Sequence, residues 1–107
     1  MTGSLSLPHL HFHPDYRAAV QAGHKRTTVR WGESAAVGPV LLLFGDDPQG
    51  WPAHITHVES LALTDLTDAH AQADGFQNRA ELLARLRFHY PTLPADAQVS
   101  VVHFRLD

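Results

Sequence analysis

Residues 23–30 read Gly-His-Lys-Arg-Thr-Thr-Val-Arg, and this octapeptide carries the most information in the chain. Glycine is a natural left-handed cap for a helix, so Gly23 closes whatever helix precedes it. Thr27, Thr28 and Val29 are β-branched and Trp31 is aromatic, so a strand starts at Thr27 and runs to about Trp31. The octapeptide therefore joins a helix end to a strand start. Side chains can converge at such a junction while the backbone stays fixed. Along the strand, Thr28 and Arg30 point to the same face. Lys25 sits just before it, with a stem long enough to reach over that face.

Working outward, Leu5 to His13 alternates, with Leu10 and Phe12 on one side and His9, His11 and His13 on the other, which is strand periodicity. Pro14 suits a first helical turn, and Tyr16, Ala19 and Val20 give an apolar stripe, so a short helix covers 14–22. Gly32 to Gly38 reads as a loop. Pro39 to Phe44 is almost continuously apolar, as expected of a strand buried on both faces of a closed barrel. Gly45 to Gly50 has turn chemistry, and Trp51 to Leu63 returns as a long strand. Thr67 caps a helix through Ala73, closed by Asp74-Gly75. Asn78 and Glu81 have capping-box spacing, and Leu82, Leu83 and Leu86 continue a helical face that stops at about Tyr90, before Pro91. Gln98 to Leu106 alternates again. The expected order is β-α-β-β-β-α-α-β over one domain spanning 1–107. That order describes an α+β fold, a small barrel with two or three short helices packed outside.

Composition narrows the function. The chain has 107 residues, 44% hydrophobic and 18% charged, with a formal net charge of −3. A general polyanion binder would be basic, so a nucleic-acid role needs a local patch or a small ligand. Cysteine is absent, which excludes disulfides, thiolate metal sites and thiol nucleophiles. No apolar run approaches a membrane-spanning length, and Met1 to Pro8 lacks a basic residue ahead of its apolar part. The expectation is a cytoplasmic protein without a membrane partner. Of the eight Lys and Arg residues Lys25 alone is lysine, and it falls inside the octapeptide.

Several groups are candidates for chemistry. A lysine beside arginines has a reason for a lowered pKa, and in its neutral form it could take the proton of a threonine hydroxyl. The same residues also read as a solvated basic turn. Asp74 is a turn device or a general acid, and Glu59 is a second strand acid. His9, His11 and His13 could hold a divalent ion or line an exposed strand face, and no carboxylate pair completes a site there. We therefore expect no metal or other cofactor. Trp31, Trp51 and Phe76 can stack a base or pack a core.

The pattern Gly23-x-Lys25-x-x-Thr28-x-Arg30 between a short helix and a strand resembles the signature of the ASCH domain, a relative of PUA domains. Gly38 before the apolar strand, the Thr67 to Gly75 helix, the leucine-rich helix ending in His89-Tyr-Pro91 and the Val99 to Leu106 strand fall in matching places. The resemblance runs from Leu10 to Leu106. It implies a PUA-like barrel with a cleft beside the lysine–threonine segment and an association with RNA or modified nucleosides.

The chain is most similar to the small bacterial 4-acetylcytidine amidohydrolases. By motif position the resemblance makes Lys25 the base and Thr28 the nucleophile. Asp74, standing where those proteins have a glutamate, becomes the acid. Arg30, Arg26, Trp31 and Trp51 are the expected substrate-binding residues, and the expected partner is a modified nucleoside or single-stranded RNA. The alternatives are a non-catalytic RNA-binding module using His24, Lys25, Arg26 and Arg30 on phosphates, or a ribonuclease using His24 or His54 as acid and base.

Overall fold

The computed structural model describes residues 7–107, so Met1 to Ser6, including the start of the expected first strand, lie outside the described residues. Strand β1 (His9–Phe12) leads through a 3-10 turn at Pro14–Tyr16 into α1 (Arg17–Gln21). Then follow β2 (Thr27–Arg30), β3 (Gly38–Phe44) and β4 (Trp51–Ala62). A second 3-10 turn, Leu63–Asp65, precedes α2 (Asp68–Ala73), α3 (Arg79–His89) and β5 (Gln98–Leu106). The predicted order is observed. The caps act as expected: Thr67 accepts from the His70 N–H, and Asn78 accepts from the Glu81 N–H.

The five strands form one mixed sheet in the order β1-β3-β4-β5-β2. Among the described residues β1 and β3 run parallel and the β2–β5, β3–β4 and β4–β5 pairings are antiparallel. Between Ile55 and His57 the β4–β5 register slips, leaving Thr56 as the extra residue of a bulge that bends the long strand. β5 runs between two apolar clusters. Val102 and Phe104 join Leu10, Phe12, Val40, Leu42, Phe44 and Ile55 on one face. Val99 and Val101 join Val29, Leu66, Ala71, Leu82 and Leu86 under α2 and α3 on the other.

Two expectations need correction. The sheet is not closed into a barrel, because the ladder ends at β1 on one side and β2 on the other. These edge strands are bridged by a side chain instead: Arg30 Nη2 donates to the His11 carbonyl oxygen at 2.6 Å. A guanidinium standing in the gap keeps the strands beyond the roughly 4.8 Å spacing of a ladder. Nor is β3 buried on both faces. Val40, Leu42 and Phe44 are buried, whereas Leu41 and Leu43 are half-buried, so β3 keeps a strand's alternation beneath its uniformly apolar sequence.

Candidate functional site at the open edge of the sheet

The site lies where the sheet fails to close. Its geometry begins with backbone: the Arg26 N–H donates to the Ala73 carbonyl at 2.8 Å, tying the loop after α1 to the end of α2. Gly75, at φ +90°, makes that approach possible, since a Cβ there would sit 3.4 Å from Lys25 Cβ in a conformation side chains rarely adopt. The two capping loops thereby bring together residues 49 positions apart. Lys25 Nζ donates to an Asp74 carboxylate oxygen and, at 3.3 Å, to the Asp74 carbonyl.

This pair is sealed, with side chains 3% and 4% exposed. Burial pushes the Lys25 ammonium below its usual range, against the pull of Asp74. Burial also pushes the Asp74 carboxyl up to about 6, against the pull of Lys25. Both shifts favour the uncharged forms, so the neutral amine–acid arrangement lies closer in energy to the ion pair than it would in water. Three rings surround the Lys25 nitrogen, Tyr16 at 4.6 Å, Phe76 at 5.6 Å and Phe12 at 5.9 Å from their centroids, and help hold the cation.

Thr28 stands beside the pair, and its Oγ1 accepts from Arg30 Nε at 2.9 Å. Lys25, Thr28 and Asp74 all line a small inner cavity of about 30 Å³, room for about one or two waters. Thr28 also lines a larger outer cleft of about 250 Å³ with His11, Phe12, Arg30, Glu33 and Tyr90. Thr27, by contrast, turns its hydroxyl into the interior, where it has no partner. Tyr16, Val29 and His89, like Thr28, line both spaces. Arg85 Nε donates to the Tyr16 hydroxyl at 3.0 Å, leaving that hydroxyl free to donate to His89 Nε2 at 2.7 Å. Partial burial, with Arg85 and His13 nearby, lowers the His89 pKa and keeps its ring neutral at pH 7.

The structure brings Lys25, Thr28, Asp74 and Arg30 into one site. Trp31 backs it, packing edge-on against Tyr90 at 5.8 Å. Arg26 and Trp51 line neither space: Arg26 projects on the side of α1 and β5, and Trp51 lies under the Arg17 guanidinium at 5.5 Å. His24 and His54 are likewise absent from both linings, and His54 instead contacts Asp107 at 2.6 Å.

Among the described residues no group of three or more His, Asp or Glu side chains is arranged to hold a metal. His13 turns away from its expected strand face to cap the first 3-10 turn. Glu59 contacts His70 at 3.3 Å, and that ring is committed, because His70 Nδ1 accepts from the Thr67 N–H.

Glu33, Tyr90, Tyr16, His89 and Arg85 were not singled out from sequence. Tyr90 donates to Glu33 Oε2, and Glu33 Oε1 accepts from Arg30 Nη1 at 3.2 Å. Burial, followed by the Glu33 hydrogen bond and charge, holds the Tyr90 hydroxyl up at about 12.

The α+β fold is shared with proteins of known structure, and it is that of the ASCH domain. An ASCH domain from Lactobacillus crispatus JV V101 superposes with a TM-score of 0.70 at 16% identity, covering 83% of this chain and 68% of that one. A protein from Enterococcus faecalis V583 described as DUF984 superposes at 0.68 with 18% identity, covering 96% and 82%. No family model matches the sequence, and no curated protein does. Among the described residues no helix is long and apolar enough to cross a membrane.

Proposed function

We propose that this chain hydrolyses the exocyclic amide of an acylated cytidine, with 4-acetylcytidine as the test substrate. One observation carries the reading: Lys25 and Asp74 are buried against each other beside Thr28, the residue that opens onto the outer cleft. A lysine and a carboxyl group that both lean toward their neutral forms supply a base and an acid in the same place. The cleft, near the lower end of ligand-pocket sizes (roughly 300–1,000 Å³), suits one base or nucleoside.

In this scheme the Lys25 amine takes the Thr28 hydroxyl proton as Oγ1 bonds to the amide carbon and the carbonyl electron pair moves onto oxygen. The Arg30 guanidinium retains N–H groups beyond its three protein acceptors and meets that oxyanion. Collapse breaks the C–N bond, and the Asp74 carboxyl protonates the departing amine. Cytidine leaves, with the acyl group on Thr28. Water then attacks the ester and gives a proton to Asp74, while Lys25 returns its proton to the Thr28 oxygen. The acid product is released and the pair is restored.

Burial of Lys25 weighs against the RNA-binding alternative, since a side chain 3% exposed cannot reach a backbone phosphate. The test is cytidine release from 4-acetylcytidine, followed by chromatography, for wild type, Lys25→Ala and Thr28→Val. Turnover by wild type that both variants lose supports the reading. A wild type that releases no cytidine, or a Thr28→Val protein that keeps its rate, overturns it.

A further inference from the structure

We infer that Glu33, held by Tyr90 and Arg30, reads the nucleobase and commits the outer cleft to a heterocycle with an N–H donor next to a ring acceptor, as cytosine has and uracil lacks. This rests on the reading above, in which the outer cleft holds the base.

Among the described residues lining the cleft Glu33 is the one carboxylate, and its side chain is 47% exposed, open to a ligand. One oxygen is engaged by Tyr90 and the other by Arg30, which fixes the group's orientation, yet each oxygen keeps a free lone pair. With the Tyr90 proton held on its own oxygen, Glu33 stays an acceptor. Arg30 alongside presents unused N–H groups. An acceptor beside donors is complementary to an exocyclic N–H beside a ring nitrogen. N4-acylation leaves one N–H, so the acylated base keeps this pattern. In uracil held in the same pose the exocyclic position is a carbonyl oxygen facing the carboxylate, and the ring N3–H faces the Arg30 donors, so both contacts are mismatched. Sites built to bond a ligand N–H reject analogues without it, because their own polar groups are then left unpaired. Tyr90, Tyr16, Phe12 and His89 line the cleft around the base.

Isothermal titration of wild type, Glu33→Gln and Tyr90→Phe with cytidine and with uridine tests this. Wild type should favour cytidine by about tenfold or more. Glu33→Gln should lose the preference, because an amide can offer N–H to the uracil oxygen as readily as C=O to the cytosine amine. Tyr90→Phe should narrow it, since the carboxylate loses an anchor. Glu33 lies on an exposed loop, so the glutamine variant should remain folded. Equal affinity for the two nucleosides, no binding of either, or an unchanged ratio in Glu33→Gln overturns the inference. Hydrolysis of 4-acetylcytidine by the same proteins separates the two ideas. Turnover by wild type with an unchanged ratio in Glu33→Gln sinks base reading alone, whereas a cytidine preference without turnover sinks the amide chemistry alone.

Discussion

Two cation–carboxylate pairs tie distant parts of the chain together, and they differ in burial. Arg17 and Asp47 meet at 2.9 Å with side chains 40% and 32% exposed, and link α1 to the β3–β4 turn. Lys25 and Asp74 meet with 3% and 4% exposed. The first pair costs little to form and contributes about 0–1 kcal/mol, as partly solvated pairs do. The second must strip water from both groups, a penalty that its own attraction only partly offsets. A sealed lysine–aspartate pair is a poor device for stability at a place that Phe12, Tyr16 and Phe76 could fill with apolar contacts. Its chemistry, two groups displaced toward their neutral forms beside a hydroxyl, accounts for it better.

The sharpest way to break the contrast is through turnover. Replacing the sealed pair with Lys25→Met/Asp74→Leu should lower cytidine release by about 10²–10⁴-fold, the usual range for general acid–base groups, whereas Arg17→Ala should leave it unchanged. Stability should then separate single from double replacement. Lys25→Met alone strands a buried carboxyl and should cost up to about 3–5 kcal/mol in urea denaturation, while the double variant should be neutral or more stable by about 1–4 kcal/mol.

The pH dependence follows from the raised Asp74 pKa. Below about 6 the pair gains a second proton, Lys25 can no longer act as base, and kcat/KM should fall along an acid limb near pH 6. Because burial lowers Lys25, the basic limb should lie below its ordinary value of 10.5. For stability the sign is opposite to that of an ordinary paired carboxylate. The folded carboxyl binds its proton more tightly than the unfolded one, so its contribution is full below pH 3.8 and is lost as pH rises through about 6. A carboxyl carbon titration of Asp74 by NMR should show the midpoint near 6. The smallest expected effect is Arg17→Ala, at most about 1 kcal/mol in the same denaturation assay.

The elements were legible wherever short-range chemistry declares them. Gly23, the β-branched run from Thr27 and the Thr67 and Asn78 caps all act within a few residues, and each appears where expected. Local signals marked Lys25 and Asp74 at capped junctions and Thr28 and Arg30 on one strand face, and the resemblance to the ASCH signature supplied the roles expected of Lys25, Thr28 and Asp74. The Tyr16–His89 and Tyr90–Glu33 contacts were not legible. Tyr16 and His89 are 73 positions apart, Tyr90 and Glu33 57 apart, and Tyr90 before Pro91 reads only as a helix stop. Barrel closure was over-read from residues 39–44, because a uniformly apolar strand looks the same whether one face or both are covered. Arg26 and Trp51 have the right chemistry for a ligand, but alternation and the α1 cap send them elsewhere.

The most direct test of the account is single-turnover release of cytidine from 4-acetylcytidine by wild type and by Lys25→Met/Asp74→Leu, with urea denaturation run on the same samples. The account predicts a double variant at least as stable as wild type that has lost the reaction. A double variant that keeps wild-type turnover, or a wild type with none, would contradict it.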